Sequence, residues 1–171
     1  MTPLLLSWSG GKDAARALHV LRQRDDEEVI GLDTTVTEAL ERISMQRITA
    51  EILAVQSQAV GLPVVQARLP QRADNAAYES VFATALEDAR SRWPDLCDIA
   101  FGDITELLNA LPPRIDPCGE HGEFHTCVSD GPMFTAPINI TRGDTVLRDE
   151  RFAYTDFELV TSGSPATLRA A

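Results

Sequence analysis

Ser9-Gly10-Gly11-Lys12-Asp13 follows the apolar run Leu4-Leu5-Leu6-Ser7-Trp8 and precedes Ala14, Ala17, Leu18 and Leu21, apolar residues at helical spacing. An unbroken apolar run reads as a buried parallel strand, so the glycines fall on a strand-to-helix turn. Two glycines let the backbone approach an anion closely. The N–H groups and dipole at a helix start favour negative charge, and Ser9 and Lys12 add a hydroxyl and an ammonium. A polyphosphate is the guest such a turn fits. Lys12 follows the first glycine too closely for a Walker A loop, and the spacing is not GxGxxG. The plain alternative is a glycine-punctuated turn with Lys12 as an ordinary first-turn side chain.

The elements that must hold this turn alternate strand and helix over the first hundred residues. Val29-Ile30-Gly31-Leu32 reads as a second buried strand, and Ile48, Ile52, Val55 and Ala59 as a helix stopped by Gly61 and Pro63. Val64 to Leu69 is a third strand. Tyr78, Val81, Phe82, Ala85, Leu86 and Ala89 line a helix that ends before Pro94, and Asp98 to Phe101 is a fourth strand. Successive right-handed crossovers predict an α/β fold with a parallel Rossmann-like sheet of strand order 3-2-1-4, and a switch point between the first and fourth strands. Gly102-Asp103 leaves the fourth strand and Asp33-Thr34-Thr35 the second, so Thr34, Gly102 and Asp103 are expected to join the glycine turn around a nucleotide. For Gly102-Asp103 a plain turn dipeptide is the alternative.

After Phe101 the pattern changes. A short segment, Leu107 to Leu111, leads through Pro112-Pro113 to Asp116-Pro117-Cys118-Gly119-Glu120-His121-Gly122-Glu123-Phe124-His125-Thr126. Phe124 to Val128 and Met133 to Ile140 read as strands around a Ser129-Asp130-Gly131-Pro132 turn, with Thr145 to Leu147 and Phe152 to Val160 as later strands. The expected organisation is a nucleotide-binding α/β domain over 1–106, a small β-rich substrate-side unit over 107–160 and a polar tail over 161–171.

With 44% hydrophobic residues the chain can bury one substantial core. Its formal net charge of -11 and pI near 4.6 disfavour a nucleic-acid partner, since the arginines are scattered rather than gathered in a patch. The amino-terminal apolar run is too short for a signal or a membrane span, so a cytoplasmic protein with no membrane partner is expected. Cys97, Cys118 and Cys127 form no C-x-x-C pair and read as thiols.

Ser9-Gly10-Gly11-Lys12-Asp13, Arg42-Ile43-Ser44-Met45, Phe101-Gly102-Asp103-Ile104 and Gly119-Glu120-His121-Gly122-Glu123-Phe124-His125-Thr126, in this order, resemble the diphthine-ammonia ligase family of the PP-loop ATP pyrophosphatases. The similarity spans residues 4 to about 157 and looks closest to the bacterial branch. It implies an adenine nucleotide α-hydrolase fold that uses ATP and Mg2+ and cleaves ATP between its α and β phosphates. By the same resemblance, Ser9, Gly10, Gly11, Lys12 and Asp13 cradle the pyrophosphate, with Asp13 as the metal-holding acid. The substrates it implies are a small-molecule or protein carboxylate and ammonia, joined through an acyl-adenylate with release of AMP and pyrophosphate. Glu120 and Glu123 are the candidates for holding ammonium or acting as general base, because close carboxylates hold a cation and raise one another's pKa. His125 is a candidate proton carrier, and Thr126 and Asp130 are lesser ones.

Cys118, His121, His125 and Cys127 also allow a zinc reading, C-x2-H-x3-H-x-C, although the final spacing is poor for zinc. Two departures from the family pattern stand out. Asp13 is followed by Ala14 where the family has serine. Between the second-last and last motifs, Thr105 to Ile115 replaces a longer segment with a further strand and helix, and is shorter than a crossover requires. A nucleotide-binding regulatory module that has lost ligase activity is therefore the alternative function. The uncovered edge of the fourth strand is expected to be protected by the carboxyl-terminal unit or by a second subunit, with a homodimer the expected assembly.

Overall fold

A computed structural model of the chain describes residues 1–38, 42–43, 48–102, 126–148 and 152–160. Strands β1 (Thr2–Ser7), β2 (Glu27–Thr37), β3 (Arg42–Ile43), β4 (Val64–Leu69) and β5 (Asp98–Ala100) form one sheet, with helices α1 (Lys12–Leu21), α2 (Ala50–Val60) and α3 (Asn75–Arg92) between them. Strands β6 (Ile140–Arg148) and β7 (Phe152–Leu159) form a separate antiparallel hairpin.

Pairing of β4 with β2, β2 with β1, and β1 with β5, all parallel, is the expected 3-2-1-4 order of the four principal strands. Leu4, Leu5 and Leu6 are at most 3% exposed, as a central strand covered on both faces requires. One face packs Leu6, Trp8, Leu32 and Val36 against Ala14 and Leu18 of α1 and Ile52 and Leu53 of α2. The opposite face packs Leu5, Val65 and Ala67 against Ala85 and Ala89 of α3.

The second strand is longer than its apolar core, running from Glu27 to Thr37, so Asp33, Thr34 and Thr35 lie within it rather than beyond it. β4 holds one edge of β2 from Leu32 to Thr37. β1 holds the other edge from Glu27 to Asp33, and β3, which the sequence did not announce, takes that same edge at Val36 and Thr37. Thr34 and Thr35 thus sit directly beyond the end of β1, where the glycine turn leaves the sheet. α2 starts at Ala50, two residues after Ile48, because the Thr49 side chain accepts a hydrogen bond from the Ile52 N–H at 3.3 Å and fixes the helix start there.

The expected strand over Met133 to Ile140 is absent: only Ile140 is strand, and 126–128, the described part of the expected Phe124–Val128 strand, is not strand either. Pro132 and Pro137 lack the N–H a ladder needs. The N–H groups that remain are used elsewhere: Val128 donates to the Gly10 carbonyl at 2.9 Å, Thr135 to Ala59 at 2.7 Å and Ile138 to Ser129 at 2.7 Å. Residues 126–139 are therefore an irregular strap across α1 and α2. Met133 is buried in the core they share, and Val128, Phe134, Phe157 and Leu159 pack against that core. Arg22 at the end of α1 ties the strap down by donating to the carbonyls of Met133 and Val60. The expected segment 107–111 and the tail 161–171 lie outside the described residues.

Removing the Thr49 cap tests how firmly α2 is placed. Thr49→Ala should cost about 1 kcal/mol of stability, read as a lower urea midpoint at unchanged slope; an unchanged midpoint would mean that packing alone sets the helix start.

Candidate functional site

The glycine turn is built at the end of β1, where Trp8 donates its backbone N–H to the Asp33 carbonyl at 2.7 Å. Gly10 has φ +76, and a β-carbon on it would lie 2.5 Å from Ile48 Cδ1 and 2.8 Å from Gln56 Oε1. Only glycine fits both the conformation and the space. Gly11 is the N-cap of α1 and has no side chain to satisfy the first N–H groups of the helix. One of them, Lys12 N–H, finds the Thr126 Oγ1 at 3.0 Å, a partner 114 residues further along the chain. Gly11 N–H faces Ser9 Oγ at 3.3 Å, and Lys12 Nζ lies 3.0 and 2.9 Å from the two carboxylate oxygens of Asp13. Ser9, Gly10, Gly11, Lys12 and Asp13 thus gather around one helix start, as the sequence led us to expect.

Gly102 reaches the same place from β5. A β-carbon there would lie 3.0 Å from the backbone of Asp13 and Ala14, so the chain leaving β5 runs in contact with the first turn of α1. This is the expected meeting of the first and fourth strands at the switch point. Thr34 is inside β2 and 3% exposed, on the face of Leu32 and Val36 by alternation. Asp103, Glu120, Glu123 and His125 lie outside the described residues, as do Cys118 and His121 of the zinc reading. Cys127, its remaining ligand, is partly buried, and burial pushes its thiol up to about 11, which keeps it protonated at neutral pH.

Gln56 is the residue that sequence reasoning overlooked. It is fully buried on α2 and donates from Nε2 to the Gly10 carbonyl at 3.1 Å and to the Val128 carbonyl at 2.8 Å, while its Oε1 accepts from Trp8 Nε1–H at 3.0 Å. Its signal is an amide in the middle of the apolar stripe Ile52, Gln56, Val60. A polar residue at a core-facing helical position must find internal partners.

Two family models match the chain: the diphthamide synthase N-terminal domain over residues 3–93 and the diphthamide synthase C-terminal domain over residues 103–158. The chain belongs to the diphthamide synthase family. No curated protein matches it. The N-terminal family model takes in the glycine turn, Asp33 and Gln56, and the C-terminal one the acidic motif and the strap that contacts the turn. No helix among the described residues is long and apolar enough to cross a membrane.

Asp33 is the least comfortable group near this site. It is 4% exposed, its Oδ1 has no hydrogen-bond partner among the described residues, and burial raises its pKa from 3.8 to about 6. Because the folded protein holds this proton more tightly than the unfolded chain, the contribution is favourable in acid and lost as pH rises from about 4 to 6. The loss amounts to about 3 kcal/mol for a shift of this size. Asp33→Asn should abolish that part of the pH dependence and so exceed the wild type in stability by more at pH 8 than at pH 4; chemical denaturation of both proteins at the two pH values decides it.

Proposed function

We propose that this diphthamide synthase family member binds ATP and Mg2+ at the Ser9–Asp13 turn, bordered by Thr34, Gly102 and Asp103, and uses ATP to join a carboxylic acid to ammonia. The observation that carries the proposal is the hydrogen bond from Lys12 N–H to Thr126 Oγ1, which fastens the segment immediately after the acidic motif to the phosphate-type turn. Glu123 is three residues before Thr126, and three residues of chain span at most about 11 Å. That short covalent leash from Thr126 supports a role for Glu123 at the helix start.

The residues present suit the ligand. The space-restricted Gly10, the helix start, the Ser9 hydroxyl and the Lys12 ammonium are donors and dipoles suited to a polyphosphate. Asp13 would hold the Mg2+, together with phosphate oxygens, which is how this ion is commonly bound; the ion supplies charge neutralisation on the leaving pyrophosphate. Among the described residues there is no cluster of three or more acidic, His or Cys side chains to hold an ion without the nucleotide.

In the proposed reaction an oxygen of the substrate carboxylate attacks the α-phosphorus. A carbon–oxygen–phosphorus link forms, the bond to the bridging oxygen breaks, and pyrophosphate leaves with the electron pair. The nitrogen of ammonia then attacks the acyl carbon, AMP leaves, and an amide remains. Fixed donors around the turn hold the leaving pyrophosphate, the contribution expected to dominate such phosphoryl chemistry. Glu120 and Glu123 take the roles of ammonium holder and base that accepts the proton released from nitrogen, and His125 can carry it onward. We assign the substrate-side unit to 107–160, the protein to the cytoplasm and its assembly to a homodimer.

Gly102→Ala should weaken ATP binding about tenfold or more, because its β-carbon would lie 3.0 Å from the backbone of Asp13 and Ala14 and the first turn of α1 must shift to admit it. Glu123→Gln should keep ATP binding and lower AMP and pyrophosphate release by roughly 100-fold or more. Calorimetry and a pyrophosphate assay with ammonia and a panel of carboxylic acids read both. Unchanged ATP affinity in Gly102→Ala defeats the site; ATP binding without turnover on any acid establishes the regulatory-module alternative instead.

A further inference from the structure

The peptide joining Gly10 and Gly11 is trans and planar, so its carbonyl and its N–H point in opposite directions. Two donors hold the carbonyl inward, Gln56 Nε2 at 3.1 Å and Val128 N–H at 2.9 Å, which uses both of its lone pairs. Gln56 has a single workable orientation. Turning its amide over would put Oε1 against the Gly10 and Val128 carbonyls and Nε2 against the Trp8 indole N–H, three clashes of like polarity in a fully buried place. With the carbonyl locked inward, the Gly11 N–H is directed to the opposite side, where it meets the Ser9 hydroxyl at 3.3 Å.

We propose that Gln56 is a positioning residue for phosphate binding: it pins the Gly10 carbonyl so that the Gly11 N–H and the Ser9 hydroxyl face an incoming phosphoryl oxygen, and through Val128 it locks the strap that follows the acidic motif to the same peptide. The inference rests on the nucleotide reading above. Gln56 itself is shielded from any ligand and acts only through the peptide it holds. A side chain of equal length without an amide cannot replace it. Methionine offers no donor, and an ionised glutamate sets negative charge against two carbonyl oxygens.

Inorganic pyrophosphate is the probe, because it engages the turn without a nucleoside or an acceptor. Calorimetric titrations of wild type, Gln56→Met, Gln56→Glu and Trp8→Phe between pH 5 and pH 8, with melting curves for each, test the inference. Gln56→Met should bind about 10- to 100-fold more weakly at every pH, the range for a lost or misdirected hydrogen bond to a charged group. Gln56→Glu carries a buried acid whose protonated form still donates to the Gly10 carbonyl. Its dissociation constant relative to wild type should stay within a few-fold at pH 5 and rise about tenfold or more by pH 8. A role in folding alone would lower the melting temperature without this pH-dependent ratio.

Trp8→Phe keeps an aromatic side chain at this buried position and removes the indole donor that orients Gln56, so it should bind about 3- to 10-fold more weakly, with its melting curve reading separately the stability cost of the smaller ring; it decides the matter if the Gln56 variants do not fold. Folded variants with wild-type affinity, or a Gln56→Glu ratio flat with pH, overturn this inference alone. Wild-type protein that does not bind pyrophosphate overturns the nucleotide reading, and this inference with it.

Discussion

The inward carbonyl of Gly10 is the point on which the rest of the site depends. A strand that ends in two glycines has many ways to enter a helix, and only a strong internal contact selects one. Here the selection comes from three directions: Gln56 from α2, Val128 from the strap, and Ile48, whose Cδ1 fills the space where a Gly10 side chain would stand. Since Gln56 is buried, the cost of leaving its amide unpaired is greater than the net gain of any single bond it makes. The network consequently behaves as one unit: moving the turn, the helix or the strap exposes unsatisfied groups in the other two.

This explains why the carboxyl-terminal half does not build a core of its own among the described residues. Its buried anchor, Met133, belongs to the cluster of Leu6, Trp8 and Leu18, and two of its backbone donors, Val128 and Thr135, are given to carbonyls of the α/β unit. The β6–β7 hairpin is joined to the sheet by the Arg42–Asp156 ion pair at 2.7 Å, which links β3 to β7. Both residues are partly exposed, so the pair contributes more to placement than to stability.

Legibility in the sequence followed the reach of each interaction. Strand order, helix faces and the meeting of Gly102 with the glycine turn follow from apolar periodicity and crossover handedness, and these were readable from residues 4 to 102. The strap was misread as strands because alternation in Met133–Ile140 mimics a ladder, whereas Pro132, Pro137 and the use of Val128 and Thr135 as donors to α/β carbonyls rule one out. Asp33 was placed past the end of its strand because an acid reads as a breaker; pairing with Ser7 on one side and Val65 on the other keeps it in the sheet despite its unsatisfied oxygen. Gln56 and Thr126 were missed as partners of the turn for a different reason. Their partners are 46 and 114 residues away, and no local pattern encodes such a contact.

Charge arithmetic indicates where the proposed affinity for a polyphosphate would originate in such a chain. A net charge of -11 opposes an approaching polyphosphate, but at physiological salt that field is screened beyond about 8 Å. Inside that radius the turn offers one ammonium, and Asp13 holds both of its carboxylate oxygens against it. Lys12 and Asp13 nearly cancel at a distance, so Lys12 brings little long-range attraction. The turn also offers the backbone N–H groups at the start of α1, whose effect depends on direction and fades within a turn of helix. Binding that relies on aimed dipoles rather than on net charge is sensitive to small rotations of a single peptide. In this fold the peptide in question is Gly10–Gly11, and its orientation is set from the core.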